Sequence, residues 1–165
     1  MKPRIVISRC LGFGCCRWNG IELDWRLPPE LSGKIDPVPV CPECEIGLGV
    51  PRPPIRIVRK NGKTSLIQPL TGRDLSREME DFNRNFLAGL GRVDGFILKS
   101  RSPSCGVDDV PVYAAAAAPS PFAGENGPGF FARAVLQAFP TLPVCDERQL
   151  ADSATARRWF RKFER

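Results

Sequence analysis

Three cysteines sit where apolar, strand-like runs end. Cys10 follows Arg4-Ile5-Val6-Ile7-Ser8, Cys41 follows Val38-Pro39-Val40, and Cys105 lies a short loop beyond Phe96-Ile97-Leu98. Far apart in sequence, they converge if those runs lie side by side in one sheet. The chain has no histidine, so a site built from them offers sulfur alone. Soft, all-sulfur ligation points to an iron–sulfur cluster more than to any other chemistry.

The surroundings of these cysteines carry further chemistry. Cys41-Pro42-Glu43-Cys44 is a C-x-x-C, which reads as a redox dithiol, as half of a zinc site, or as a chance pairing of one ligand with one buried thiol. Ser102-Pro103-Ser104-Cys105-Gly106 places two hydroxyls around a stiffening proline, with Lys99 and Arg101 making the loop basic. Glu43 lies two residues from Cys41, where a carboxylate is placed for proton transfer; its bland alternatives are a turn cap or a pair with Arg52. Without histidine, a Ser-His-Asp triad, a Cys-His pair and mixed Cys/His zinc sites are excluded. Cysteine is among the most buried residue types, so Cys145 at the end of its apolar run reads as packing, and of the adjacent Cys15 and Cys16 one is expected to face in and the other out.

Composition limits the class. The chain has 165 residues, a length that suits one domain spanning 1–165. At 42% hydrophobic residues, it can fill a core of that size. No apolar run approaches the roughly 20 residues that cross a bilayer, and no secretory leader is evident, so a cytoplasmic protein without membrane attachment is expected. Seven cysteines without an export signal favour metal or redox use over a disulfide framework. The net charge of +6 favours an anionic partner, such as a phosphate or RNA.

The elements that must position these residues follow from pattern. Residues 4–8, 37–41, 95–98 and 142–145 read as strands. Residues 55–58 and 64–67 flank Asn61-Gly62 and read as a β-hairpin excursion near residues 55–68. Asp74 is placed to cap a helix to Leu90, whose Leu75, Met79, Phe82, Phe86 and Leu90 form one apolar stripe. Further helices are expected over 130–139 and from Ser153, while 42–54 and 108–127 read as irregular. Helices alternating with strands from residue 75 onward predict an α/β fold, a single three-layer Rossmann-like domain with a mostly parallel sheet. In such folds ligands bind beyond the carboxyl ends of the strands, where the cysteines are.

Taken together, Ser8-x-Cys10-Leu11-Gly12, Cys16-Arg17-x-x-Gly20, Cys41-Pro42-Glu43, Pro51-Arg52 and Lys99-x-x-Ser102-Pro103-Ser104-Cys105-Gly106 resemble the thiouracil desulfidase family. The resemblance runs over roughly residues 4–147. It implies a 4Fe–4S cluster held by Cys10, Cys41 and Cys105, with one iron free to meet the sulfur of a thiolated pyrimidine. It implies non-redox hydrolytic desulfuration of 2-thiouracil, 4-thiouracil or 4-thiouridine monophosphate, giving uracil or UMP and sulfide. Glu43 matches the family's acid/base carboxylate, and Ser102 or Ser104 is expected to assist. Arg17, Arg52, Lys99 and Arg101 are candidates for holding a nucleotide phosphate. Stretches such as 44–52 resemble the longer family members that act on thiolated tRNA through an added domain, so the expected partner is a small thiolated base or nucleotide, with thiolated tRNA as a further one. Trp18-Asn19 replaces the family's Tyr-Asp, and the stretch from Ala114 to Gly127 is longer and richer in alanine than its counterpart. The competing readings are a zinc-stabilised module using Cys41, Cys44, Cys105 and one of Cys10, Cys15 or Cys16, and a basic RNA-binding module without catalysis.

Overall fold

The computed structural model describes residues 1–117 and 122–163. Its centre is a four-stranded parallel sheet in the order β2-β1-β6-β9, built from β1 (Arg4–Ser8), β2 (Asp36–Val40), β6 (Gly95–Leu98) and β9 (Val144–Asp146). Side chains alternate across a strand, so successive apolar residues supply both faces. Val6, Phe96 and Leu98 pack against α2 (Ser76–Gly89) and α3 (Phe130–Ala138), with Leu87, Phe131 and Val135. Ile5, Ile7 and Ile97 face the other way, onto Leu11, Leu31 and Trp159 of α4 (Ser153–Phe160). This is the expected α/β arrangement: helices cover both faces of a parallel sheet.

The hairpin belongs to something larger than an excursion. β3 (Arg56–Lys60) and β4 (Lys63–Gln68) join β5 (Arg73–Asp74), β7 (Val110–Tyr113) and β8 (Phe122–Gly127) in a second, mixed sheet ordered β5-β4-β3-β7-β8. Ile57, Leu66, Val110 and Val112 bury its inner face against Met79 of α2 and Phe130 of α3. Helix α2 therefore serves both sheets, with Phe82 packed against either core. Two local expectations are corrected. Within the stretch expected to be irregular, Val110–Tyr113 and Phe122–Gly127 form β7 and β8 despite Pro111 and three glycine or asparagine positions, because pairing of β7 with β3 and of β8 with β7 supplies what local propensity withholds. Asp152, not Ser153, caps α4, its carboxylate accepting from the Thr155 N–H at 2.7 Å. Residues 118–121 of the alanine-rich stretch lie outside the described residues. Among the described residues no helix is long and apolar enough to cross a membrane.

Candidate active site

All three parallel strands that precede the cysteines end at one cavity of about 900 Å³. In-register pairing aligns their ends: Ser8 lies beside Val40, and Ile7 beside Ile97. Cys10, Cys41 and Cys105 all line that cavity. Cys41 is brought there by α1 (Pro42–Glu45), a one-turn helix where sequence suggested an irregular loop; Pro42 at its first position needs no N–H bond. Cys105 is placed by the Ser-Pro-Ser loop. The Ser102 Oγ accepts from the backbone N–H of Ser104 at 3.2 Å and of Cys105 at 3.1 Å, closing the turn.

That loop is seated on α3. The carbonyls of Pro103 and Ser104 accept from the N–H groups of Phe130, Phe131 and Ala132 at 2.9, 2.9 and 3.0 Å. These are donors that a helix start leaves without intrahelical partners. Gly129 permits the approach: a Cβ there would stand 2.4 Å from the Ser104 carbonyl oxygen. Gly106 is equally confined, its would-be Cβ 2.3 Å from Val110 Cγ2.

The fold raises three of the cavity thiols, Cys16, Cys41 and Cys105. Burial pushes the Cys105 thiol up to about 12, although hydroxyls of Ser8 and Ser102 against its sulfur favour the thiolate. Cys41 is raised further, by contact with the Cys16 thiol and then by burial. Cys16 is raised by its contact with Cys10 above all. Of the adjacent Cys15 and Cys16, Cys15 is exposed and Cys16 faces in, lining the cavity between two of the three cysteines. Its carbonyl also accepts from the thiols of Cys41 and Cys44 and from Arg52 Nη2 at 2.9 Å. Its position in the same short loop as Cys10 was the available signal. Among the described residues, no three Cys, Asp or Glu side chains are grouped to hold a single metal ion. Such a grouping is what a tetrahedral zinc site requires.

Glu43 lies buried at the cavity wall. Its Oε2 accepts from Arg52 Nε at 2.8 Å and its Oε1 from the Ser104 hydroxyl at 3.0 Å. The pair with Arg52, the bland alternative from sequence, is therefore real, and it fixes the carboxylate rather than removing it from the cavity. Burial works against the Arg52 charge, but the Glu43 carboxylate outweighs it and raises Arg52 above its ordinary value. Arg52 Nη1 also donates to the Gly49 carbonyl at 2.8 Å. With every nitrogen engaged, Arg52 cannot be the free phosphate ligand the sequence suggested.

Lys99 is corrected in the same way. Its ammonium donates to Glu147 Oε1 at 2.6 Å and to the Ser100 carbonyl at 3.0 Å. Glu147 lay just past a predicted strand end, the same signal that drew attention to Lys99, but its partner is 48 residues distant. Arg17 and Arg101 line the cavity and have no ion pair with the described residues. Arg101 sits at φ 58, a left-handed conformation uncommon for a side-chain-bearing residue, held by its N–H to Asp109 Oδ1 at 2.8 Å. The outer wall comes from the second sheet, where Arg56 stacks 4.5 Å over the Tyr113 ring.

Comparison with known proteins gives concordant results. The profile of the 2-thiouracil desulfurase family matches residues 5–147. An uncharacterized protein of Bacillus subtilis (strain 168), YbbK, is 31% identical over 109 residues, spanning 62% of this chain and 72% of YbbK. The solved structure of TudS, described as a 4Fe–4S-dependent thiouracil desulfidase, is similar with a TM-score of 0.62 and 25% identity, covering 94% of this chain and 97% of that one.

Proposed function

This chain belongs to the 2-thiouracil desulfurase family, and from that premise we propose that it is a non-redox desulfidase of thiolated pyrimidines, working as one catalytic unit over residues 1–165. The observation that carries the reading is the convergence of Cys10, Cys41 and Cys105 on the cavity that also holds Glu43. The donor set fits a 4Fe–4S cluster. Cys10, Cys41 and Cys105 offer sulfur from beyond three different strands, and thiolates on a multinuclear cluster bind separate irons. When bound, such a cluster supplies an iron with an open position, a soft Lewis acid for the substrate's sulfur.

The chain's own groups do the rest. Glu43 accepts a proton from the attacking water, through a carboxylate lone pair not used by Arg52 or Ser104. Arg52 and Ser104 hold its orientation. Water's oxygen bonds to the ring carbon, the C–S bond breaks, and its electron pair leaves with sulfur. The remaining water proton and the one taken by Glu43 both pass to the departing sulfide, which leaves Glu43 a carboxylate again. The sum is thione plus water giving carbonyl plus hydrogen sulfide, with no oxidant or reductant. Ser102 keeps the Cys105 loop closed, so Ser104 is the serine that assists Glu43. Arg17 and Arg101 are the cavity cations placed for a nucleotide phosphate, and the cavity's volume lies in the range of pockets that take whole small molecules. A reducing cytoplasm suits its free cysteines.

The test is sulfide release by anaerobically prepared protein from 2-thiouracil, 4-thiouracil and 4-thiouridine monophosphate. Turnover of at least one, without added reductant, is expected. No release from any of them sinks the reading.

A further inference from the structure

The cations that line the cavity divide into those already engaged and those still open. Arg52 is bonded to Glu43, and Arg9 stands 3.8 Å from Glu45. The Lys99 ammonium gives its N–H groups to Glu147 Oε1, the Ser100 carbonyl and the Ser100 hydroxyl. That leaves Arg17, Arg56 and Arg101. Among the described lining residues the one carboxylate is Glu43, whose two oxygens are bonded to Arg52 and Ser104. The open part of the cavity is therefore cationic and suited to an anion from outside.

Arg56 differs from the other two in being held in place. On β3, Ile57 turns into the inner core of the second sheet, and on β7 Val110 and Val112 do the same. Alternation along a strand then puts Arg56 and Tyr113 together on the opposite face. The two strands run parallel with Val58 beside Tyr113. Arg56, two places before Val58, reaches diagonally over the ring, its Cζ 4.5 Å from the centroid. Both residues line the cavity. A cation over a ring is attracted by the ring's own charge distribution and needs no oxygen acceptor. The guanidinium is thus anchored without an ion pair to any described residue. Arg59, three positions on in the same strand, shows the ordinary alternative, since it pairs with Glu125.

Position adds a second argument. The cysteines and Glu43 stand at the strand ends of the parallel sheet, whereas Arg56 and Tyr113 belong to the second sheet. A ligand that meets both must carry its anion at a distance from the reacting ring, as a nucleotide carries its phosphate across a ribose. A free base brings no anion to the outer wall.

Building on the desulfidase reading, we propose that Arg56 is a specificity-determining residue that donates two N–H groups to the phosphate of a thiolated pyrimidine nucleotide, and that Tyr113 is its positioning residue. A guanidinium meets phosphate oxygens two at a time. Fixing it before the ligand arrives removes part of the ordering cost of binding. Arg17 and Arg101 add charge from their loops, and Arg56 supplies the fixed point. The preferred substrate class is the nucleotide, with the free base the poorer substrate.

The experiment compares wild type, Arg56→Gln, Arg56→Lys and Tyr113→Leu as holoproteins. Calorimetry measures the binding of UMP and of uridine, and steady-state assays give KM for 4-thiouridine monophosphate and 4-thiouracil. Iron content and thermal midpoint report on integrity. Wild type should bind UMP about 10-fold more tightly than uridine, and Arg56→Gln should lose most of that preference, as the loss of charge-assisted hydrogen bonds requires. Arg56→Lys keeps the charge without the fork and should recover only part. Tyr113→Leu should lose part as well. KM for the monophosphate should lie below that for 4-thiouracil in wild type and rise in the same order as the binding losses. Equal binding of UMP and uridine by wild type would overturn the proposal. So would an Arg56→Gln variant that keeps the preference, or one that weakens UMP and uridine alike. Wild-type preference in Arg56→Lys would overturn the two-point grip, and in Tyr113→Leu the positioning role. If wild type releases no sulfide from any thiopyrimidine, the desulfidase reading falls, and the comparison of UMP with uridine still decides what Arg56 does.

Discussion

At the scale of residues, the site is a set of groups whose neighbours decide their use. Glu43 lines the cavity with one carboxylate oxygen bonded to Arg52 and the other to Ser104. Glu43→Gln should keep that geometry and remove the proton acceptor, lowering kcat about 100-fold at unchanged iron content. The thiols give a second expectation. Cys41 and Cys105 are raised in the folded chain, so the cluster-free protein binds protons that the unfolded chain has lost above its ordinary thiol value of about 8.5. Stability from these thiols is complete below that pH and declines as pH rises toward their folded values. Chemical denaturation of cluster-free protein at pH 7 and pH 10 should show the loss, and Cys105→Ala should flatten it. Glu147 behaves oppositely. Burial acts to raise it, but bonds from Lys99 and Ser100 hold it below its ordinary value. Its contribution is present above the usual carboxylate range and is lost as pH falls through the folded value, so Glu147→Gln should flatten the acid limb. Residue types and spacing, with the resemblance to the desulfidase family, singled out ten candidate residues, all of which line one cavity. They did not reveal that Arg52 and Lys99 are committed within the protein, because those partners are chosen by the fold.

At the scale of elements, strand ends and one helix start do the positioning. β1, β2 and β6 were legible because a parallel strand covered on both faces reads as a short apolar run. β7 and β8 were not, since β8 is largely exposed and glycine-bearing, and only pairing across the sheet defines it. α1 was hidden because four residues behind a proline carry no helical period. The seating of the Ser-Pro-Ser-Cys loop on α3 was also invisible, since it depends on a glycine 24 positions beyond Cys105 by sequence number. It makes a sharp prediction. Gly129→Ala forces a methyl group into the Ser104 carbonyl, where nothing flexible can yield. Overpacking of this kind costs about 1–3 kcal/mol. The variant should melt earlier and retain less iron, and activity per iron should fall because Ser104 and Cys105 move together.

At the scale of the whole molecule, the parallel sheet supplies the reacting end and the second sheet supplies the outer wall. Strand ends from the first bring cysteines, Glu43 and Lys99 to the floor, while Arg56, Pro69, Leu70 and Tyr113 come from or beside the second. The cavity cations Arg17 and Arg101, in loops beyond β1 and β6, make a separate prediction. Arg17→Gln with Arg101→Gln should raise KM for 4-thiouridine monophosphate several-fold and leave 4-thiouracil nearly untouched, a difference read from paired steady-state assays. Fold class and the gathering place of the cysteines were readable in the chain because they rest on local apolar runs. The second sheet was not, because it rests on pairing between segments some 50 residues apart. The most direct measurement is the iron and sulfide content and visible spectrum of anaerobically reconstituted protein, wild type beside Cys105→Ala. A brown wild type with about four irons per chain, the complement of one such cluster, and a variant that folds but fails to hold it, would bear the account out. A colourless wild type, or a variant with the same iron content and spectrum, would contradict it.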